Sequence, residues 1–303
     1  MCLGPIWTQY FPPKNSAPIT SRNLASQSGE IFIITGGSSG IGLELCKILY
    51  AARGKIYILT RTKSNAEASI KSIEESTSRN ATQKSGELIF IYMDLEDLES
   101  VKNAAREFAQ KEKRLDVLFS NVGVASVKGK TTKQGIEYHF GVNNVGHVLL
   151  EKPLRPVLSQ TAKVMPKDSV RVVWSASILV ELMAPKGGVR IESLDSLSKD
   201  FVASELSKRE GKQTGVVSIA GNPGSYVTNV WRTTPGYLYY PFRLLLRSPI
   251  HGAYTYLWMA FSDEIKMEDA IAGRYGMCDG RWHLGQRLDE LLALKVKEEV
   301  GTG

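Results

Sequence analysis

Thr35-Gly36-Gly37-Ser38-Ser39-Gly40-Ile41-Gly42 lies between an apolar run and an amphipathic pattern. Glu30-Ile31-Phe32-Ile33-Ile34 reads as a short buried strand. Ile41, Leu45, Ile48 and Leu49 recur at helical spacing, and Gly54 closes the helix. A strand, a glycine turn and a helix N-terminus make an anion site. The first N–H groups of a helix have no intrahelical acceptor, and the dipole favours negative charge there. Gly36 permits a tight turn, Gly40 lets the backbone approach a pyrophosphate, and Gly42 allows close helix packing. Ser38, Ser39 and Ile41 line the same turn.

Strand and helix patterns alternate beyond this point. Lys55–Thr60, Leu88–Met93, Leu115–Phe119, Val170–Trp174 and Val216–Ile219 read as strands. Helical spacing marks Ala66, Ile70 and Ile73, then Leu98, Val101, Ala105 and Phe108. This alternation predicts an α/β fold, a Rossmann-type doubly wound parallel sheet with helices on both faces, in which ligands bind outside the carboxyl ends of the strands. Residues 1–29, with Ile6, Trp7, Tyr10 and Phe11 before a polar stretch, read as an irregular arm packed through its aromatics. Residues 30–303 read as a single domain.

The glycine run also satisfies G-x-S-x-G, a hydrolase elbow with Ser38 as nucleophile. That fold needs strands ahead of the elbow, whereas a polar, proline-bearing leader precedes this one. It also needs a triad histidine, and none of the 4 His sits in such a context. The Gly-x-x-x-Gly-x-Gly spacing resembles instead the T-G-x-x-x-G-I-G turn of the short-chain dehydrogenase/reductase family. The resemblance extends over about residues 5–300 and implies a nicotinamide cofactor and hydride transfer to or from a carbonyl or alcohol carbon.

On the cofactor side, Arg61 follows the second strand, where a Rossmann-type site holds the adenosine ribose. Thr60-Arg61-Thr62-Lys63 contains no carboxylate, which favours the 2′-phosphate of NADP(H) over the free hydroxyl of NAD(H). Asp94 stands where the family sets an Asp against the adenine; it reads equally as an N-cap for the helix near Leu98. Asn121-Val122-Gly123 resembles the family's N-A-G turn and gives Asn121 a largely structural part. Asn222-Pro223-Gly224-Ser225-Tyr226-Val227-Thr228 resembles its N-P-G-x-x-x-T turn, whose Pro223, Gly224 and Thr228 positions reach the nicotinamide amide and phosphates.

On the catalytic side, Phe140–His147 resembles the F-x-x-N-x-x-G-H helix of the retinol-dehydrogenase-like branch. That branch gives Asn143 a helix interruption and a water in the proton relay, with Asn144 and His147 packing or capping. Arg171–Ser177 resembles the strand that delivers the catalytic serine, and register assigns Ser177 ahead of Ser175. The family's Y-x-x-x-K motif has no match, because no Tyr lies between Ser177 and Tyr226. Ser198-Lys199 looks like the end of that motif, with Asp195 at the Tyr position. Alternatively the motif is absent and Lys199 is a surface lysine. Tyr226 is a substitute proton donor or, better, a packed loop aromatic.

Composition is ordinary for a globular protein at 43% hydrophobic and 23% charged. The net charge of +7 is scattered, which suits a polyanionic dinucleotide better than nucleic acid. Three cysteines, Cys2, Cys46 and Cys278, are too few and too dispersed for a disulfide framework or a zinc site, and imply a reducing, cytoplasmic setting. No apolar run reaches membrane-spanning length, and the N-terminus lacks a signal-peptide pattern. The expected partner is a small-molecule substrate covered by a segment near residues 230–260; a homodimer is implied by the resemblance. Gly252–Ala260 reads as core, while Tyr237–Leu246 fits a substrate cover, core or a membrane-facing stretch. The F-P-P leader at Phe11–Pro13, Ala184–Gly188 and Lys297–Gly303 resemble filamentous-fungal members acting in secondary metabolism.

Overall fold

The apolar strands assemble side by side, and the central ones are buried on both faces. In the computed structural model, which describes residues 3–13, 17–78, 85–125, 129–178, 206–233 and 236–283, eight strands form one sheet. They are β1 (Ile31–Thr35), β2 (Lys55–Thr60), β3 (Glu87–Tyr92), β4 (Val117–Ser120), β5 (Arg171–Ser175), β6 (Val217–Gly221), β7 (Gly276–Met277) and β8 (Arg281–Trp282). Their order is β3-β2-β1-β4-β5-β6-β7-β8. Every pairing is parallel except the last, β7 with β8. The predicted doubly wound fold is therefore the observed one.

The helices are α1 (Leu3–Tyr10), α2 (Gly40–Ala51), α3 (Lys63–Ser78), α4 (Leu98–Lys111), α5 (Gly146–Ala162), α6 (Gly236–Arg243), α7 (Ile250–Phe261) and α8 (Met267–Ile271). Successive side chains of a strand point to opposite faces, so β1 feeds two cores. Ile33 joins Phe108 of α4 and Leu150 and Leu154 of α5 on one face. Phe32 and Ile34 join Leu45 and Leu49 of α2 and Trp258 of α7 on the other. The Gly252–Ala260 stretch lies in this second core, as its composition predicts. No helix among the described residues is long and apolar enough to cross a membrane.

Two readings need correction. The leader is helical over Leu3–Tyr10 rather than irregular, and two of its aromatics, Trp7 and Phe11, are 64% and 53% exposed, while Tyr10 is half-buried. The sheet also continues into β7 and β8, each two residues long, which is too short for a period to show in sequence.

Buried Arg171 ties the two halves together. Its guanidinium donates to the carbonyls of Asp168, Met259, Ser262 and Ile265 at 2.8–3.2 Å, so it ends α7 and anchors the start of β5 at once. Burial pulls its pKa down to about 10.

Glu30, just ahead of β1, is a pH-sensitive carboxyl whose pKa is raised. Burial first, and the neighbouring Asp116 charge second, push its pKa up to about 7. The folded state thus holds this proton more tightly than the unfolded chain. The resulting stability is complete below about pH 4.5 and is lost as pH rises through 7. Glu30→Gln, which mimics the protonated form, is expected to leave stability unchanged near pH 4.5 and to raise it by about 1–2 kcal/mol at pH 8. Urea unfolding at the two pH values checks this; an equal change at both would contradict the assignment.

Candidate active site

The strand order reverses between β1 and β4, and open α/β sheets bind ligands at the carboxyl ends of the strands beside such a switch point. Thr35 closes β1 there. Its hydroxyl accepts from the backbone N–H groups of Asn121 (2.9 Å) and Val122 (3.1 Å), and lies 3.3 Å from both the Phe119 carbonyl and His147 Nε2. His147 is fully buried, and its Nδ1 donates to the Val142 carbonyl at 3.0 Å. A carbonyl only accepts, so Nδ1 carries a proton, and Nε2 faces the Thr35 hydroxyl. His147 thus holds the site together from behind, as its packing assignment implies. Asn121 Nδ2 donates to the Thr35 carbonyl at 2.9 Å, which matches its structural reading.

The glycine turn is shaped for close approach. Gly36 has φ +70° and Gly40 φ +56°, both left-handed values that glycine adopts without strain. A Cβ on Gly42 would lie 2.5 Å from the Gly36 carbonyl oxygen and 2.8 Å from Asn121 Nδ2, so α2 can start here only with glycine. A Cβ on Gly40 would lie 3.1 Å from Thr228 Cγ2, which sets Thr228 of the Asn222–Thr228 turn directly over the helix start. Ser39 is the N-cap of α2, yet its hydroxyl makes no capping bond. The Ser38 hydroxyl faces Thr60 Oγ1 at 3.5 Å, and no triad histidine is among its partners. That removes the hydrolase alternative. Ile41 packs toward α7, where a Cβ on Gly252 would meet it at 2.8 Å.

The Asn222–Thr228 turn is braced from inside. Tyr226 is buried, and its hydroxyl donates to the Pro223 carbonyl at 2.5 Å. Burial first, and the nearby Asp279 charge second, raise its pKa well above that of a free phenol. It is the packed loop aromatic of the sequence reading. Gly224 has φ +113°, a conformation open to glycine alone. Arg247 grips the buried Asp279 with two hydrogen bonds of 2.6 and 3.1 Å, and its backbone pairs with Ser225 and Val227. Beside this pairing, Tyr237, Tyr240 and Leu244 expose apolar surface.

At the end of β2, Arg61 is half-exposed and donates to Glu96 at 2.8 Å. Lys130 also pairs with Glu96 at 2.5 Å, and the Tyr138 hydroxyl donates to it. Burial works against the Glu96 carboxylate. Hydrogen bonds from Lys130 and Tyr138 and the Lys130 and Arg61 charges outweigh it and hold the pKa below the usual range. Sequence reasoning missed Glu96 and Lys130, which meet across 34 residues with no local pattern to mark them. Asp94 is not the cap of α4. Asp97 fills that role by accepting from Glu99 N–H, while Asp94 accepts from Glu96 N–H at 3.0 Å in the turn just before it.

Asn143 lies in a π-helical turn, Gly141–Val145, that interrupts the helical run between Tyr138 and Ala162 as the sequence reading expects. Its amide grips both sides of the Val124 backbone: Oδ1 accepts from Val124 N–H at 2.8 Å and Nδ2 donates to the carbonyl at 3.0 Å. Ser177 follows β5 by two residues, and its carbonyl lies 3.5 Å from the Tyr275 hydroxyl. Lys199, Asp195 and Ala184–Gly188 fall outside the described residues, as does Lys297–Gly303.

The comparisons agree with this architecture. Residues 30–171 match the family model described as short chain dehydrogenase. A short-chain dehydrogenase/reductase of Phomopsis amygdali is 38% identical over 279 positions, covering 86% of this chain and 81% of its own. The short-chain dehydrogenase/reductase iacJ of Pestalotiopsis fici is 37% identical, covering 87% and 85%. This chain belongs to the short-chain dehydrogenase/reductase family. Among solved structures it resembles the Pseudomonas aeruginosa RhlG/NADP active-site complex (TM-score 0.64, 20% identity, 86% of this chain and 98% of that one). A short-chain dehydrogenase from Sphingobium yanoikuyae in complex with NADPH gives the same TM-score and identity, over 90% and 96%. At such identity the likeness is one of fold. The relative bet4 of Neocamarosporium betae aligns over 320 positions, more than the 303 residues present here, at 33% identity. At least 17 of its residues therefore have no counterpart in this chain.

Replacing Thr35 by Val strands the Asn121 and Val122 N–H groups and one face of His147. The expected loss of stability is about 2–4 kcal/mol, against less than about 1 kcal/mol for Thr35→Ser, which keeps the hydroxyl. Denaturant midpoints of the two variants check this; equal losses would show that the hydroxyl is not what matters.

Proposed function

We propose that this chain binds NADP(H) and that its fold is built to pass hydride between the nicotinamide and a carbonyl or alcohol carbon of a small organic substrate, in secondary metabolism and in the cytoplasm. The observation that carries this reading is the cradle at Gly36–Gly42, where added Cβ atoms would collide with Gly36, Asn121 and Thr228. It accepts a pyrophosphate and rejects side chains. Arg61 and Lys130 both pair with Glu96, and Arg61 is the cation that the end of β2 offers to a 2′-phosphate. The fungal relatives support the metabolic setting.

When bound, the cofactor supplies the hydride. The chain's own residues do the rest. The α2 N-terminus and the Thr228 turn bind the phosphates, Ser177 hydrogen-bonds the substrate oxygen, and Asn143 shapes the π-turn of the proton relay. Tyr237, Tyr240 and Leu244 of the 230–260 segment cover an apolar substrate.

A second reading has its own observations. The sequence contains no Tyr between Ser177 and Tyr226, and at least 17 residues of the relative bet4 have no counterpart in this chain. On the resemblance, a removed segment would fall at the Y-x-x-x-K motif and shorten the helix that follows it. Without that phenol and its lysine, the substrate oxygen has no general acid. On this reading the chain binds cofactor and is impaired in catalysis.

NADPH is expected to bind more tightly than NADH, and Arg61→Ala to remove about 1.5–3 kcal/mol of the NADPH affinity, the worth of a charge-assisted contact. Equal affinities for the two cofactors in the native protein would contradict the phosphate assignment. For catalysis, a variant with a Tyr-x-x-Ser-Lys segment and full-length helix restored ahead of Ala203 is expected to raise the rate of carbonyl reduction by roughly 10²–10⁴-fold. Steady NADPH turnover by the native chain, unchanged by Tyr226→Phe, would show that another acid serves the site.

A further inference from the structure

Gln9 is a polar residue in a leader helix, yet it is only 3% exposed, while its neighbours Trp7 and Phe11 face solvent. Its carboxamide is inserted into the Asn222–Thr228 turn. Asn222 Nδ2 donates to Gln9 Oε1 at 2.6 Å, and Gln9 Nε2 donates to Ser225 Oγ at 2.6 Å. One side chain thus bridges the two residues that flank Pro223 and Gly224. Asn222 is itself 2% exposed; its Oδ1 accepts from Gly224 N–H at 3.0 Å, and its own N–H donates to the Gly276 carbonyl. A primary amide offers a donor and an acceptor at one end, which is what this pair of partners requires. The helix is held in register by a second contact, Arg281 Nη2 donating to the Thr8 carbonyl at 2.9 Å.

We infer that Gln9 is a positioning residue, reaching from the leader helix to lock the Asn222–Ser225 turn in the shape that receives the nicotinamide half of the cofactor. This rests on the NADP(H) reading above. Gly224 sits at φ +113°, and a glycine with so many accessible conformations holds one only when its neighbours are fixed. Gln9 supplies two of those restraints from more than 200 residues away in sequence. The adenosine half lies against β2 and α2, on elements that Gln9 does not touch, so the effect is confined to one end of the dinucleotide.

The test uses the full chain, with Gln9→Met as a variant of similar length that deletes both hydrogen bonds. Affinities for NADPH and for adenosine 2′,5′-bisphosphate, which carries only the adenosine half, are titrated for the native and variant proteins. The expected result is roughly tenfold weaker NADPH binding with adenosine 2′,5′-bisphosphate unchanged within about twofold. Ser225→Ala is expected to weaken NADPH in the same selective way, and the double variant to lose less than the two losses combined, because the residues share an interaction. Ser225→Ala also serves should Gln9→Met fail to fold. Unchanged NADPH affinity, or equal weakening of both ligands, would overturn the inference while leaving the cofactor reading intact. A native protein that binds neither ligand would overturn the cofactor reading and this inference with it.

Discussion

The Thr35 hydroxyl is the contact on which the rest of the site depends. It gathers the end of β1, the turn after β4 and the imidazole of His147 around one oxygen, and each of the three carries a different part of the molecule. β1 leads into the glycine turn. The β4 turn leads to Val124, on which Asn143 closes its amide. His147 opens α5 and, through Val142, fixes the π-turn. Buried backbone N–H groups need partners, and the hydroxyl meets two of them where the parallel ladder runs out. The glycine turn and the π-turn are therefore tied together by the same few bonds.

A second set of restraints converges on the Asn222–Thr228 turn. Tyr226 and Thr255 both donate to the Pro223 carbonyl, Gln9 bridges Asn222 and Ser225, and the Arg247–Asp279 pair holds the neighbouring strand-like segment in place. Gln9 comes from the leader, Thr255 from α7, Asp279 from the β7–β8 turn and Arg247 from the segment before α7. A loop braced from so many directions is suited to present backbone groups without reorganising. Its preorganisation is independent of the proton chemistry assigned to Ser177 and the missing Tyr.

The central architecture was legible because it rests on local, periodic signals. Four apolar residues in a row, Ile31–Ile34, mark a strand buried on both faces, and the Gly36, Gly40 and Gly42 spacing marks a turn with two left-handed positions and one tight contact. Arg61 could be placed by counting from β2. What escaped has no local period. β7 and β8 are two residues each, and their pairing is fixed by tertiary packing. Asp94 and Asp97 are equivalent by composition, and only geometry shows that Asp97 caps α4. Gln9, Glu96 and Lys130 matter through partners far along the chain. The leader looked anchored by its aromatics because apolar residues are the usual anchors, whereas Trp7 and Phe11 face solvent and the buried Gln9 amide and the Thr8 carbonyl make the polar contacts to the domain.

Hydrogen–deuterium exchange with and without NADPH tests the central claim most directly. The account predicts added protection in three separate peptides, Gly36–Gly42, Asn121–Val124 and Pro223–Thr228, with little change at α8 on the far side of the fold. Protection missing from these three segments, or appearing elsewhere instead, would contradict a cofactor site at the β1–β4 switch point.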